Sequence, residues 1–297
     1  MPVEPAATAE FLTHRNLLFT VAYEMLGSAA DAEDVLQETW LRWADVDLAV
    51  VRDSRAYLVR ITTRQALTRL RTLGRRKESY VGSWLPEPLL TASDVADDVE
   101  LAESVSMAML LVLETLAPTE RAVFVLRDVF ALGYDEIAEA VGRNPAGVRQ
   151  IAHRARAHVA ARRPRGGASS RDEARSAIEA FRRAVETGDL QGLLDVLAPD
   201  VVLVGDGGGI KKAIPRPVTG ADRVARVLTG GLGKLAGASV SLHPVQVNGH
   251  PALVLRLDGE LDSVLTVRID DGRVTGLYAV RNPEKLARMD RVTALGR

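Results

Sequence analysis

Arg149, His153 and Arg156 recur at helical spacing along one stretch, with Gln150 and Arg154 beside them. The planar fork of Arg matches the guanine edge and the Gln amide matches the adenine edge, so this set can read bases in a DNA major groove. Residues 143–165 hold seven Arg and no acidic residue. One-sided charge of that kind suits phosphate, with Arg143, Arg154 and Arg156 as candidate contacts to the DNA backbone. The competing reading is an amphipathic helix pair with a solvated charged face.

Acid–base chemistry has four candidates, Asp206, His243, His250 and Asp262, and no His–carboxylate spacing joins them. His250 falls in a predicted turn exposed to solvent, and His243 precedes Pro244 without a visible partner. The loop Asp206-Gly207-Gly208-Gly209 lacks the Gly-Lys-Ser/Thr of a phosphate cradle, so it reads as a contact loop. No catalytic residue, metal site or cofactor is assigned. The absence of Cys excludes disulfides, thiolate metal sites and thiol nucleophiles, and fits a reducing, cytoplasmic setting.

The base-reading residues need a scaffold, and the preceding residues supply one. Pro118-Thr119 starts a helix that carries Ala122, Val123, Leu126, Val129 and Phe130 at helical spacing as far as Phe130. A short helix with Ile137, Ala138 and Val141 inward stops at Gly142, and Asn144-Pro145 caps a third with Val148, Ile151, Ala152, Ala155 and Val159 inward. A short helix, a tight turn and a basic helix make a helix-turn-helix.

Upstream, charge comes in blocks. Residues 10–27 form a helix ended by Gly27, and Ser28 with Asp31 starts another whose inward face is Ala32, Val35, Leu36, Thr39, Trp40 and Trp43. From Glu24 to Asp47 there are seven acidic residues and one basic, either a solvated face or a dock for a basic protein. Arg52 to Lys77 carries nine Lys or Arg against Asp53, on a helix with Val59, Ala66, Leu70 and Leu73 inward and Arg60, Arg64, Arg71 and Arg75 outward. Such a stripe repels itself unless a polyanion or acidic neighbour offsets it. Residues 78–104 reverse the sign again. There Trp84-Leu85-Pro86-Glu87-Pro88 excludes helix, and Trp84, Leu85, Leu89 and Leu90 call for a docking site. From Asp98 the pattern is helical through Leu116.

The net charge of −1 hides this segregation, and 297 residues with 47% apolar content allow two or three domains. No run reaches membrane-spanning length. After the flexible boundary 162–170, helices at 171–188 and 190–197, a short strand Val201–Val204 and a helix at 221–229 precede strands near 238–247, 251–257, 261–269 and 273–281. Asn248-Gly249 and Asp271-Gly272 are hairpin turns between them. The plan is multidomain: two all-α units, the second a helix-turn-helix, then an α+β unit.

Asp31-Ala32-Glu33-Asp34-Val35-Leu36-Gln37-Glu38-Thr39-Trp40 resembles the core-polymerase-binding region of extracytoplasmic-function sigma factors. Helix 54–77 resembles their downstream promoter-recognition helix, with Arg64 and Thr68 where the family commonly has Asn and Asp, and 106–163 resembles their helix-turn-helix region. The C-terminal half is similar to SnoaL-like members of the nuclear-transport-factor-like superfamily, a curved sheet wrapped by helices around a pocket. Trp84–Pro88, Asp206–Gly209 and Asn282-Pro283-Glu284-Lys285-Leu286 look like motifs of sigma factors carrying that extension, with Ile210 inserted before Lys211.

The resemblance implies core RNA polymerase and promoter DNA as partners, and leaves room for a small ligand in the C-terminal pocket. It places Asp31, Asp34, Gln37, Glu38 and Trp40 at the polymerase and Arg60, Arg64, Arg71 and Arg75 at the downstream element. The loop Asp45–Arg52 would accept a flipped base, and Arg149, Gln150 and His153 would read the upstream element. The linker, loop and tail motifs would touch one another as a regulatory contact. The implied domains are 1–77, 105–163 and 171–297, with 78–104 as linker. The alternatives are a ligand-sensing regulator binding DNA alone and an enzyme fused to a DNA-binding module.

Overall fold

The computed structural model describes residues 5–78, 80–92, 95, 98–163, 169–233 and 237–297. Helix α1, Pro5–Leu26, begins earlier than the expected residue 10 and ends where Gly27 turns left-handed, at φ 68°. Trp84 of the linker lies against this glycine, and a Cβ there would meet the indole at 2.8 Å, so the turn and the close approach both require Gly. Ser28 then accepts from the Asp31 amide to start α2, Ala29–Trp43. A 3-10 turn at Leu48–Val50 leads to α3, Ser54–Glu78. Trp43 is fully buried and donates to the Ala7 carbonyl at 2.8 Å, tying α2 back to the start of α1.

The expected continuous helix after Asp98 is two, α4 at Val99–Val105 and α5 at Met107–Glu114. Ser106 separates them because its hydroxyl caps Met109 instead of sitting inside a helix. Helix α6, Pro118–Phe124, passes into a π-helical turn at Val125–Val129, so the expected run to Phe130 is not one α-helix. Helices α7, Tyr134–Val141, and α8, Pro145–Arg162, follow with Gly142 left-handed between them and the Asn144 side chain capping the Gly147 amide. Val148, Ala152, Ala155 and Val159 of α8 are buried in the same core as α1–α3.

The C-terminal half starts with α9, Arg171–Thr187, and α10, Leu190–Val196. Six strands follow: β1 Leu197–Asp206, β2 Val218–Thr219, β3 Val240–Val247, β4 His250–Leu257, β5 Glu260–Asp270 and β6 Arg273–Val280. Helix α11, Ala221–Gly233, lies between β2 and β3, and α12, Pro283–Leu286, follows β6. The sheet order is β2-β1-β6-β5-β4-β3. The meander β3–β6 is antiparallel as expected, but β1 is longer than Val201–Val204 and runs parallel to β6. One face packs under α9, α10 and α11 through Phe181, Leu193, Val224, Leu253, Val267 and Leu277. The other meets the linker and α5 through Leu85, Met107, Val247, Val264 and Val280.

Candidate nucleic-acid interface and interdomain contact

Arg143, Arg149, Gln150, His153, Arg154 and Arg156 are all exposed on or beside α8, opposite its buried Val148, Ala152 and Ala155. Arg154 and Arg156 pair with Glu120 at 3.7 Å and Asp128 at 2.7 Å, and the Arg149 guanidinium stands 5.5 Å from the centre of the Tyr134 ring. Exposed ion pairs contribute little to stability, so a polyanion can replace them at small cost.

The basic face of α3 is covered differently. Arg60 pairs with the Glu139 carboxylate at 2.9 Å and Arg64 donates to the Glu139 carbonyl at 2.8 Å, so α7 lies along the stripe. Arg71 is exposed, and the side chain of Arg75 lies outside the described residues. The acidic neighbour needed to offset this stripe is therefore partly supplied within the chain. On α2, Asp31 and Asp34 share Arg69 at 2.6 and 2.7 Å, Glu38 accepts from Gln65, Gln37 is exposed, and Trp40 packs against Phe11.

The three remaining motifs converge. Asp206, the last residue of β1, is fully buried, and its carboxylate accepts four hydrogen bonds: Tyr80 Oη at 2.7 Å, Gly208 N at 3.0 Å, Leu85 N at 2.9 Å and Lys285 Nζ at 2.7 Å. Four donors fill the lone-pair sites of a carboxylate. Lys285 also donates to the Leu85 carbonyl at 2.5 Å and stands 4.3 and 4.8 Å from the Trp84 and Tyr80 ring centres. Burial lowers its pKa, opposed by Asp206. Asn282 donates to Tyr80 Oη and accepts from the Glu284 amide, so the tail motif forms a capped helical turn. Pro283 and Glu284 are exposed and Leu286 is buried. A Cβ on Gly208, at φ 63°, would run into the Asn282 amide. Gly207 is buried and Gly209 exposed.

Sequence reasoning missed two further contacts. Glu87, buried between Pro86 and Pro88, accepts from the Ala29 and Ala30 amides and from the Ser28 hydroxyl, so the linker caps α2. Asn248 is fully buried: its Oδ1 accepts from the Leu89 amide, and its Nδ2 donates to Tyr23 Oη and the Val105 carbonyl. Leu90 bridges to Val247 and covers the sheet edge at β3. The only visible signal was Asn248-Gly249, and it pointed to a turn alone.

Of the acid–base candidates, Asp206 serves the contact just described. Asp262 is held below the ordinary carboxylate range by Arg281 and Lys211, against the opposing effect of burial. His243 is exposed and bonds Ser241, while His250 is the first residue of β4, not a solvent-exposed turn residue, and bonds the Ala102 carbonyl at 3.0 Å. Each has its own partners, and the structure does not assemble them into one site.

Burial raises the Glu24 carboxyl to about 8, opposed by Ser104 and Arg121, and its Oε2 has no partner among the described residues. The folded chain thus keeps a proton that the unfolded chain releases at lower pH. The corresponding stability is complete below the ordinary carboxylate range and is lost as pH rises toward 8, at roughly 1.4 kcal/mol per pH unit. Urea unfolding of Glu24→Gln should show a flatter dependence between pH 5 and 8 than the parent chain. Equal slopes would remove Glu24 as the cause.

Known proteins match this arrangement along nearly the whole chain. Residues 11–76 match the family model described as Sigma-70 region 2, residues 106–159 match Sigma-70 region 4, and residues 178–288 match the SnoaL-like domain. The chain is 36% identical over 289 residues to ECF RNA polymerase sigma factor SigJ of Mycobacterium tuberculosis (strain H37Rv), covering 93% of this chain and 92% of that one. It is 32% identical over 282 residues to the probable ECF RNA polymerase sigma factor SigI of M. tuberculosis (strain CDC 1551), covering 94% of both. The crystal structure of M. tuberculosis SigJ aligns with a TM-score of 0.76 and 33% identity, covering 95% of this chain and 98% of that one. The chain belongs to the extracytoplasmic-function RNA polymerase sigma factors and carries a C-terminal SnoaL-like domain. No helix among the described residues is long and apolar enough to cross a membrane.

Proposed function

We propose that this sigma factor directs core RNA polymerase to a subset of promoters in the cytoplasm, without turnover of its own, and that its C-terminal domain holds it closed until the partners assemble. The observation that carries this reading is the grip of Glu139, in the helix-turn-helix unit, on Arg60 and Arg64, with the linker between the two sigma units held in turn by Asp206 and Asn248 of the C-terminal domain. Arg60, Arg64, Arg71 and Arg75 are the contacts to the downstream element, and α7 must leave two of them before DNA can reach them. Asp31, Asp34, Gln37, Glu38 and Trp40 form the polymerase face, with Arg69 held in place by the two aspartates. The exposed turn at Leu48–Val50 sits in the loop that accepts a flipped base. Arg149, Gln150 and His153 read the upstream element, and Arg143, Arg154 and Arg156 hold phosphates.

Transcription with purified core polymerase on promoter variants tests the assignment. Arg149→Ala or Gln150→Ala should cost roughly 1–3 kcal/mol in promoter binding, with a loss that depends on the upstream sequence. Arg154→Ala and Arg156→Ala should weaken all promoters alike and reduce the salt slope. Uniform behaviour of all four would overturn the division of roles. Specific DNA binding without polymerase, together with no promoter selectivity in its presence, would favour a regulator that acts alone.

A further inference from the structure

Arg149, Gln150 and His153 all face outward from α8, yet the chain holds them unequally. Among the described residues the side chains of Gln150 and His153 have no partner. The Arg149 guanidinium stands over an aromatic ring, 5.5 Å from the centre of Tyr134. Tyr134 is the first residue of α7, half-buried and packed against the helical core. Arg127 stands 4.7 Å from the same ring and donates to the Leu132 carbonyl at 2.7 Å, which ties the ring to the turn before α7. The Tyr134 hydroxyl bonds Arg156, which also pairs with Asp128 at 2.7 Å. Arg149 and Arg156 lie two turns apart on α8. One side chain of the first helix thus holds two members of the basic stripe on the second.

The two are held by different chemistry. An exposed Arg samples many rotamers, and a base contact must select one of them. A partner that narrows the choice beforehand makes that selection less costly. A carboxylate does so by taking N–H donors, as Asp128 does on Arg156. An aromatic ring attracts the guanidinium and takes none of its donors. Arg149 has no ion pair or hydrogen bond among the described residues, so its whole fork remains free for a guanine edge. Arg156 must exchange Asp128 for a phosphate, whereas Arg149 can keep its ring while it reads.

We propose that Tyr134 is a positioning residue for promoter reading: its ring orients Arg149 toward an upstream base and so sets sequence discrimination. The inference rests on the assignment of Arg149 to a base. Loss of the ring weakens the promoter that carries the preferred base and leaves a promoter changed at that base as it was.

Binding of the full chain with core polymerase is measured on promoters whose upstream element is changed one base at a time. Arg149→Ala locates the base that it reads, as the position where preference is lost. There Tyr134→Leu should reduce the preference by about two- to fivefold, the span that a ring contact at an exposed site supports. Tyr134→Phe keeps the ring and should keep the parental preference, because only the bond to Arg156 goes. In the Arg149→Ala background Tyr134→Leu should change nothing further at that base. A tyrosine with a purely structural role would lower Tm and weaken all promoters by one factor, and that outcome overturns the proposal. So does a Phe variant as poor as Leu, or a loss of preference that persists without Arg149. If Arg149→Ala abolishes no preference, the base assignment and this inference fall together. If Arg149→Ala does abolish one and Tyr134→Leu leaves it intact, this inference alone falls.

Discussion

Asp206→Ala is expected to release the linker from the C-terminal domain while both halves remain folded. In the native chain this carboxylate accepts from Lys285 and three further donors at once. Removing it leaves the Lys285 ammonium, only 13% exposed, with the Leu85 carbonyl and two aromatic faces as its remaining partners. It also strips the Leu85 amide of its acceptor. Breaking a buried pair from one side typically costs roughly 3–5 kcal/mol, because the surviving charge stays buried. The loss falls on the junction, since two of the four donors, the Tyr80 hydroxyl and the Leu85 amide, belong to the linker. Hydrogen exchange should therefore accelerate at Leu85, and promoter-dependent transcription should change. Unchanged exchange at Leu85 would show that Asp206 does not hold the linker. The double variant Asp206→Leu with Lys285→Met removes both charges and should recover part of the protection, as replacement of a whole buried pair by apolar groups is often neutral. Recovery of the contact without recovery of parental transcription would separate docking from regulation.

The sequence announced its local stops plainly. Gly27, Gly142 and Gly188 each end a helix in the left-handed conformation, and Ser28 and Asn144 each cap one. Asn248-Gly249 and Asp271-Gly272 turn between strands as expected, and Asp258-Gly259 does so too with the same positive-φ pair. These signals are read within four residues, which is why they were legible. The parallel pairing of β1 with β6 was not, because it joins residues about 75 positions apart with no turn between them to mark the register. Likewise the spacing of Arg60 and Arg64 shows that they share a face, but nothing in their neighbourhood names Glu139 as what covers it. The four groups around Asp206 were anticipated only as three motifs expected to meet. Tyr80 lay outside all three, although its hydroxyl bonds both Asp206 and Asn282. Burial and the neighbouring carboxylate hold that phenol protonated, which keeps it a donor.

Asn248 shows how a turn residue can do a second task, and its replacement should be nearly as disruptive. Its backbone has φ 55°, a conformation that Asn tolerates better than most side chains and that the hairpin requires. Its side chain simultaneously joins the linker at Leu89, α1 at Tyr23 and the end of α4 at Val105. Asn248→Ala should cost roughly 2–4 kcal/mol from the partners left unsatisfied, with about 1 kcal/mol more from strain. Asn248→Gly removes the same hydrogen bonds without the strain, but it also frees the unfolded chain, which offsets most of that relief, so the two variants should differ by less than about 1 kcal/mol. Tyr23 still donates to the Glu87 carbonyl in both, which keeps the linker capping α2 and localises the damage to the edge of the sheet. Exchange of the Leu89 amide is therefore the sensitive readout, and it should accelerate in both variants more than the Glu87 amide does. If Leu89 stays protected while Glu87 opens, the linker is held from the α2 side alone, and the hairpin is only a turn.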